Sequence, residues 1–214
     1  MTKFNIINQL DTTEYGPESL DINNEYQKVF LNQGSLDGAC GPYSLFMALI
    51  TLGEINRSDA TSFHIDGRTK IGKLINYINS NHYTLFKNGT YLKDLETILE
   101  SHFNKTLSIK STKGTGKTII DFTIEQLKNN CPTIVGVNFK DGAHWMLAVG
   151  FEEYDGKIIR LLFLDPSGET PNFCSWNSII DISRKRKNEY PYRWWTHDDY
   201  IQFEEALSIE KRII

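Results

Sequence analysis

The sequence predicts an α+β domain, with helices in its first half packed on an antiparallel β-sheet in its second. Three observations predict this. Apolar residues recur three and four apart between residues 70 and 103. Runs of β-branched and aromatic residues, separated by Gly and Asp, follow Pro132. An Asp155-Gly156 pair, a strong two-residue hairpin signal, divides two of those runs. Residues 1–214 read as one domain, because 214 residues with 40% apolar content suffice for a core without metals or disulfides.

Taken in order, residues 1–30 are polar and irregular with turn-formers in TTEYGPES, which predicts an N-terminal arm or a wrapping segment. A small-residue turn (Gly38, Ala39, Gly41) then leads into YSLFMALITL, apolar nearly all round and so a helix buried on most sides. Pro42 fits its first turn, where a missing N–H costs nothing, and Gly53 fits its end. KIGKLINYINS (70–80) groups Leu74, Ile75 and Ile78, and YLKDLETILESHF (91–103) groups Leu92, Leu95, Ile98 and Leu99. Both predict amphipathic helices. A Gly/Thr/Lys-rich loop over 111–118 precedes a short helix in DFTIEQLKNN. PTIVGVNF, HWMLAVGFEE and KIIRLLFLD predict three successive strands.

A net charge of −4 argues against nucleic acid or a membrane surface as partner, since either favours a basic excess. Three widely spaced cysteines (Cys40, Cys131, Cys174) form neither an even disulfide set nor a zinc pattern, so free thiols in a reducing compartment are expected. The N-terminus lacks the basic and apolar regions of a secretory signal, and no apolar run approaches the roughly 20 residues that span a bilayer. A cytoplasmic protein is the expectation. No cofactor and no metal are expected.

The chemistry-bearing residues begin with Cys40, at the start of the buried helix. Unpaired N–H groups and the positive end of the helix dipole favour a thiolate there. Beside a histidine, such positions lower a cysteine pKa from about 8.5 to about 3.5–7.5. His144 opens the second strand, and the hairpin places its partner. With Asp155 and Gly156 as the turn, Tyr154 faces Lys157, and counting outward sets Met146 opposite Asp165. His144 shares the face of Met146, so His144 and Asp165 are diagonal neighbours roughly 7–8 Å apart at the backbone. The carboxylate would orient the imidazole so that its other nitrogen takes the thiol proton. The backbone N–H of Cys40 and the side chain of Gln33, seven residues upstream, are candidate donors to an oxyanion.

The order of Gln, Cys at a helix start, His at a strand start and Asp after the hairpin resembles the papain-like cysteine peptidases. The likeness is greatest to the bacterial branch that contains the double-glycine peptidase domains of bacteriocin exporters. CGPYSL (40–45), HWMLAVG (144–150) and LDPSG (164–168) carry it, over about residues 33 to 170. The resemblance implies a papain-like fold with Cys40 as nucleophile, His144 as base, Asp165 as orienter and Gln33 as oxyanion donor. It also implies hydrolysis of a peptide or isopeptide bond in a protein or peptide substrate. The same triad can attack a glutamine side-chain amide, as a deamidase or transglutaminase. A binding module that keeps the fold without turnover is the third reading.

Other motifs carry less. STKGTGKTII lacks the first glycine of a phosphate loop, since Ser111 stands there, and neither an apolar strand before it nor a helix from Thr118 is evident. RKRK at 184–187 reads as a solvated loop. His64, His82 and His102 show no ligand spacing. His197-Asp198-Asp199, beside Trp194 and Trp195, reads as core or a groove wall. Cys131 and Cys174 are expected to pack as small apolar residues.

Overall fold

Strand outweighs helix, 36% of the chain against 26%, and six of the strands close into an antiparallel barrel. The computed structural model describes residues 1–34, 38–62, 66–81 and 89–212. The strands are β1 (Thr2–Ile6), β2 (Asp11–Thr13), β3 (Gly16–Leu20), β4 (Tyr26–Lys28), β5 (Leu107–Lys113), β6 (Thr133–Phe139), β7 (Gly142–Tyr154), β8 (Lys157–Leu164), β9 (Ser178–Asp181), β10 (Tyr192–Trp194) and β11 (Asp199–Lys211). The helices are α1 (Cys40–Thr51), α2 (Arg57–Ala60), α3 (Lys70–Asn81), α4 (Leu92–Phe103) and α5 (Lys117–Lys128).

The barrel runs β7-β6-β11-β10-β9-β8 and closes through the β7–β8 hairpin, with β1 and β5 added at its flanks. This corrects the expected papain-like arrangement of N-terminal helices packed on a C-terminal antiparallel sheet. The physical reason lies in β7 and β11, each 13 residues long. Along one flank β7 pairs first with β6 and then with β1, while β8 takes its other flank. β11 likewise pairs with β10 and then β5 on one side and with β6 on the other. Strands from the last quarter of the chain therefore seal the edges that an open sheet would leave, which removes unpaired N–H and C=O groups.

Residues 1–30 are not irregular but carry four short strands. β1 joins the main sheet, and β2-β3-β4 form a small antiparallel sheet. That sheet caps the end of α1: the Ser19 hydroxyl donates to the Ile50 carbonyl at 2.9 Å. The 111–118 loop is shorter than expected, because β5 runs to Lys113 and α5 starts at Lys117. A strand and a helix thus do flank this segment. Ser111, however, is paired with Leu207 inside β5, so no loop long enough to cradle phosphates remains.

α1 lies on β7 with Leu45, Met47, Ala48, Leu49 and Ile50 wholly buried. One contiguous core joins it to the barrel and to α3, α4 and α5. Side chains of β7, β9 and β10 meet: Ser178 of β9 lies 3.9 Å from the Met146 sulfur of β7, and the Trp194 indole of β10 donates to Ser178 at 2.7 Å. The RKRK run is exposed and lies outside any regular element. Cys131 is buried, whereas Cys174 is only half-buried, contrary to expectation. His64 and His82 lie outside the described residues, and His102 sits near the end of α4 with its ring against Tyr77. No helix among the described residues is long and apolar enough to cross a membrane.

Candidate active site

One rim of the barrel gathers the end of β8, the start of β7 and the turn between β10 and β11. Because neighbouring strands are antiparallel, these sequence-distant points share that rim, and α1 begins against it. His144 enters on β7. Asp165 follows directly on β8, fully buried. The hairpin between them turns on Asp155 and Gly156, both with positive φ (47° and 76°), which is the backbone a two-residue primed turn requires.

His144 and Asp165 meet. The imidazole Nε2 lies 2.8 Å from Asp165 Oδ1. That contact engages Nε2, and Cys40 lies near enough to the imidazole to raise its proton affinity. Burial disfavours a charged imidazole, but hydrogen bonds and negative charge from Asp165 and Cys40 outweigh it and raise His144 to about 9. Burial would likewise raise the Asp165 carboxyl. Hydrogen bonds from His144, His197 and Ser167, with the charge of His144, instead hold it well below the usual carboxylate range. The proton therefore resides on the imidazole at neutral pH, beside the Asp165 carboxylate.

Cys40 is the first residue of α1, and the helix start carries neither a side-chain cap nor an acidic residue in its first turn. Neither an N-cap side chain nor a first-turn carboxylate therefore competes with the sulfur for the end of the helix dipole. The approach to this turn is tight: a Cβ on Gly41 would stand 2.5 Å from Cβ of Thr90. The Thr90 carbonyl in turn accepts from the Trp145 indole at 2.8 Å, and the Ser44 hydroxyl donates to the Trp145 carbonyl at 3.2 Å. Residues beside both Cys40 and His144 thus lock helix to strand.

The loop after β8 is built around Asp165. Oδ1 accepts from the Ser167 backbone N–H at 2.9 Å and from its hydroxyl at 2.8 Å. Asn177 clamps the backbone, accepting from Asp165 N–H at 2.7 Å and donating to its carbonyl at 2.9 Å. The segment before Cys40 docks on the same loop, through Gln33 N–H to the Pro166 carbonyl at 2.8 Å and Asn32 to the Gly168 carbonyl at 2.7 Å. The side-chain oxygen of Gln33 is buried without a partner among the described residues. Residues 35–37, between Gln33 and Cys40, lie outside the described residues.

His197 is the residue that the sequence analysis set aside as core or groove wall. Its Nε2 lies 2.8 Å from Asp165 Oδ2, and its ring packs on Trp194 at 3.9 Å between centroids. The only sequence signal was its position beside two tryptophans. No group of three or more His, Cys, Asp or Glu among the described residues is disposed to hold a metal ion. Compared with models of known protein families, the chain matches none, and no curated protein matches it. Fold does not carry function in any case, so function has to be read from this site.

Proposed function

We propose that the protein is a cysteine hydrolase that cleaves a peptide or isopeptide bond in a protein substrate through a thioester. One observation carries the reading: a buried His144 is held by Asp165 at 2.8 Å, and Cys40, the first residue of α1, lies near enough to the imidazole to raise its proton affinity. Nucleophile, base and orienter in that relation form the arrangement that activates a thiol. The Cys40 sulfur attacks the carbonyl carbon, and the developing oxyanion takes hydrogen bonds from the Cys40 N–H and the Gln33 amide. His144 gives its proton to the leaving amine as the C–N bond breaks. Water, deprotonated by His144, then hydrolyses the thioester, releases the acid and restores the thiol. Asp165 keeps the imidazole oriented in both halves.

A cytoplasmic location belongs to the same proposal, because a nucleophilic thiol must stay reduced, and Cys131 and Cys174 are free as well. The test exposes a cell lysate to wild type and to Cys40→Ala and maps the products by mass spectrometry. New amino termini that depend on Cys40 support the peptidase. Glutamine-to-glutamate conversion or amine cross-linking without chain breaks would replace it with a deamidase or transglutaminase. No Cys40-dependent change of any kind would leave a binding module.

A further inference from the structure

Resting on that hydrolase reading, we infer that His197 is a positioning residue of the catalytic apparatus, acting on Cys40 through Asp165 and His144. The argument starts from the two oxygens of a carboxylate that solvent does not reach. Oδ1 is shared by His144, the Ser167 hydroxyl and the Ser167 N–H. Oδ2 accepts from His197, and no other donor reaches it among the described residues. A buried carboxylate with one orphaned oxygen is costly, and it can turn about its terminal torsion to find a donor elsewhere. Turning would carry Oδ1 out of line with His144. Holding both oxygens at once fixes the carboxylate plane, and through it the plane of the His144 ring.

The turn that presents His197 is itself fixed. It spans residues 195–198 between β10 and β11. The Trp195 N–H donates to the Ile179 carbonyl at 3.0 Å, and Asp198, at a positive φ of 53°, pairs with Arg193. Trp194 stacks near His144 at 5.8 Å and packs against His197 at 3.9 Å, so one indole seats both imidazoles. That indole is held by Ser178, whose hydroxyl also meets the Thr196 hydroxyl at 2.8 Å. A histidine needed only for packing would not require its Nε2 on the orienting carboxylate.

The test is a cycle of four proteins: wild type, His197→Ala, His144→Ala and the double variant. Each is alkylated with iodoacetamide at about pH 6.5, where an ordinary thiol reacts slowly, and Cys40 is followed separately from Cys131 and Cys174 by peptide mass spectrometry. His197→Ala slows Cys40 by about tenfold in the wild-type background and by less than about twofold when His144 is already Ala. His197→Gln, which keeps an N–H donor, recovers most of the rate. A fast wild type with an unchanged His197→Ala overturns the inference. So does an equal loss in both backgrounds, which marks damage to the fold. A wild type as slow as His144→Ala overturns the hydrolase reading itself, and the inference with it.

Discussion

At the scale of the residue, the site is a chain of hydrogen bonds that fixes one proton. His144 is buried yet raised to about 9, with the hydrogen bond and negative charge of Asp165 acting against burial. Asp165→Asn keeps the size of the side chain and removes that charge. Loss of an orienting carboxylate costs a triad of this kind up to about 10⁴-fold in turnover, so a fall of at least about 10²-fold is expected here. Stability carries the same signature. His144 lies above its unfolded value, so its contribution is complete below about pH 6.5 and is lost as pH rises towards 9. Asp165 lies below its unfolded value, so its contribution is complete above about pH 4 and fades on acidification. Urea midpoints of wild type and Asp165→Asn should differ most between about pH 4 and 6.5 and converge on either side. A difference constant with pH would show that the pair is not ionised in the folded protein.

At the scale of the element, the hairpin explains why so much of the site could be read from the chain. Counting outward from Asp155-Gly156 sets His144 and Asp165 on one face, and the observed pairing begins at Tyr154 opposite Lys157 as counted. The ladder then slips twice. Between Glu152 and Glu153 it slips one way, and between Ala148 and Gly150 it slips back, so that Leu147 again faces Leu164. Neither bulge is legible in the sequence, and the count survives because the two cancel. Asp165 lies one residue beyond this ladder and needs other support, which Asn177 supplies from the connection to β9. Asn177→Ala removes three side-chain hydrogen bonds, to Asp165 N–H, Asp165 carbonyl and Glu169 carbonyl. It should cost about 1–3 kcal/mol in urea unfolding. Activity should fall further than in an exposed-loop control such as Lys187→Ala. Equal effects of the two would mean that the loop is held by other means.

At the scale of the whole molecule, barrel closure is what the sequence hid. β9 and β10 are four and three residues long and are separated by the exposed RKRK segment, too short to show a period. β11 contains FEEALSIEK, in which Glu, Ala and Leu are helix formers, and pairing with β6, β10 and β5 overrides that preference. His197 was hidden for the same reason, since its relation to Asp165 exists only once β10 and β11 complete the ring. Phe203 on β11 is fully buried and meets the Tyr192 ring edge-on at 5.2 Å. Phe203→Ala should destabilise the protein by about 3–5 kcal/mol. Unfolding should remain a single transition by far- and near-ultraviolet circular dichroism, because helices and barrel share one core. Two separated transitions would contradict that shared core.

The most direct test of the central claim is the alkylation rate of Cys40 by iodoacetamide across roughly pH 5 to 9, in wild type and His144→Ala. The account predicts a fast reaction in wild type that persists below about pH 7 and slows sharply when the imidazole is removed. A slow reaction that rises only near about pH 8.5 in both proteins would make Cys40 an ordinary thiol and contradict it.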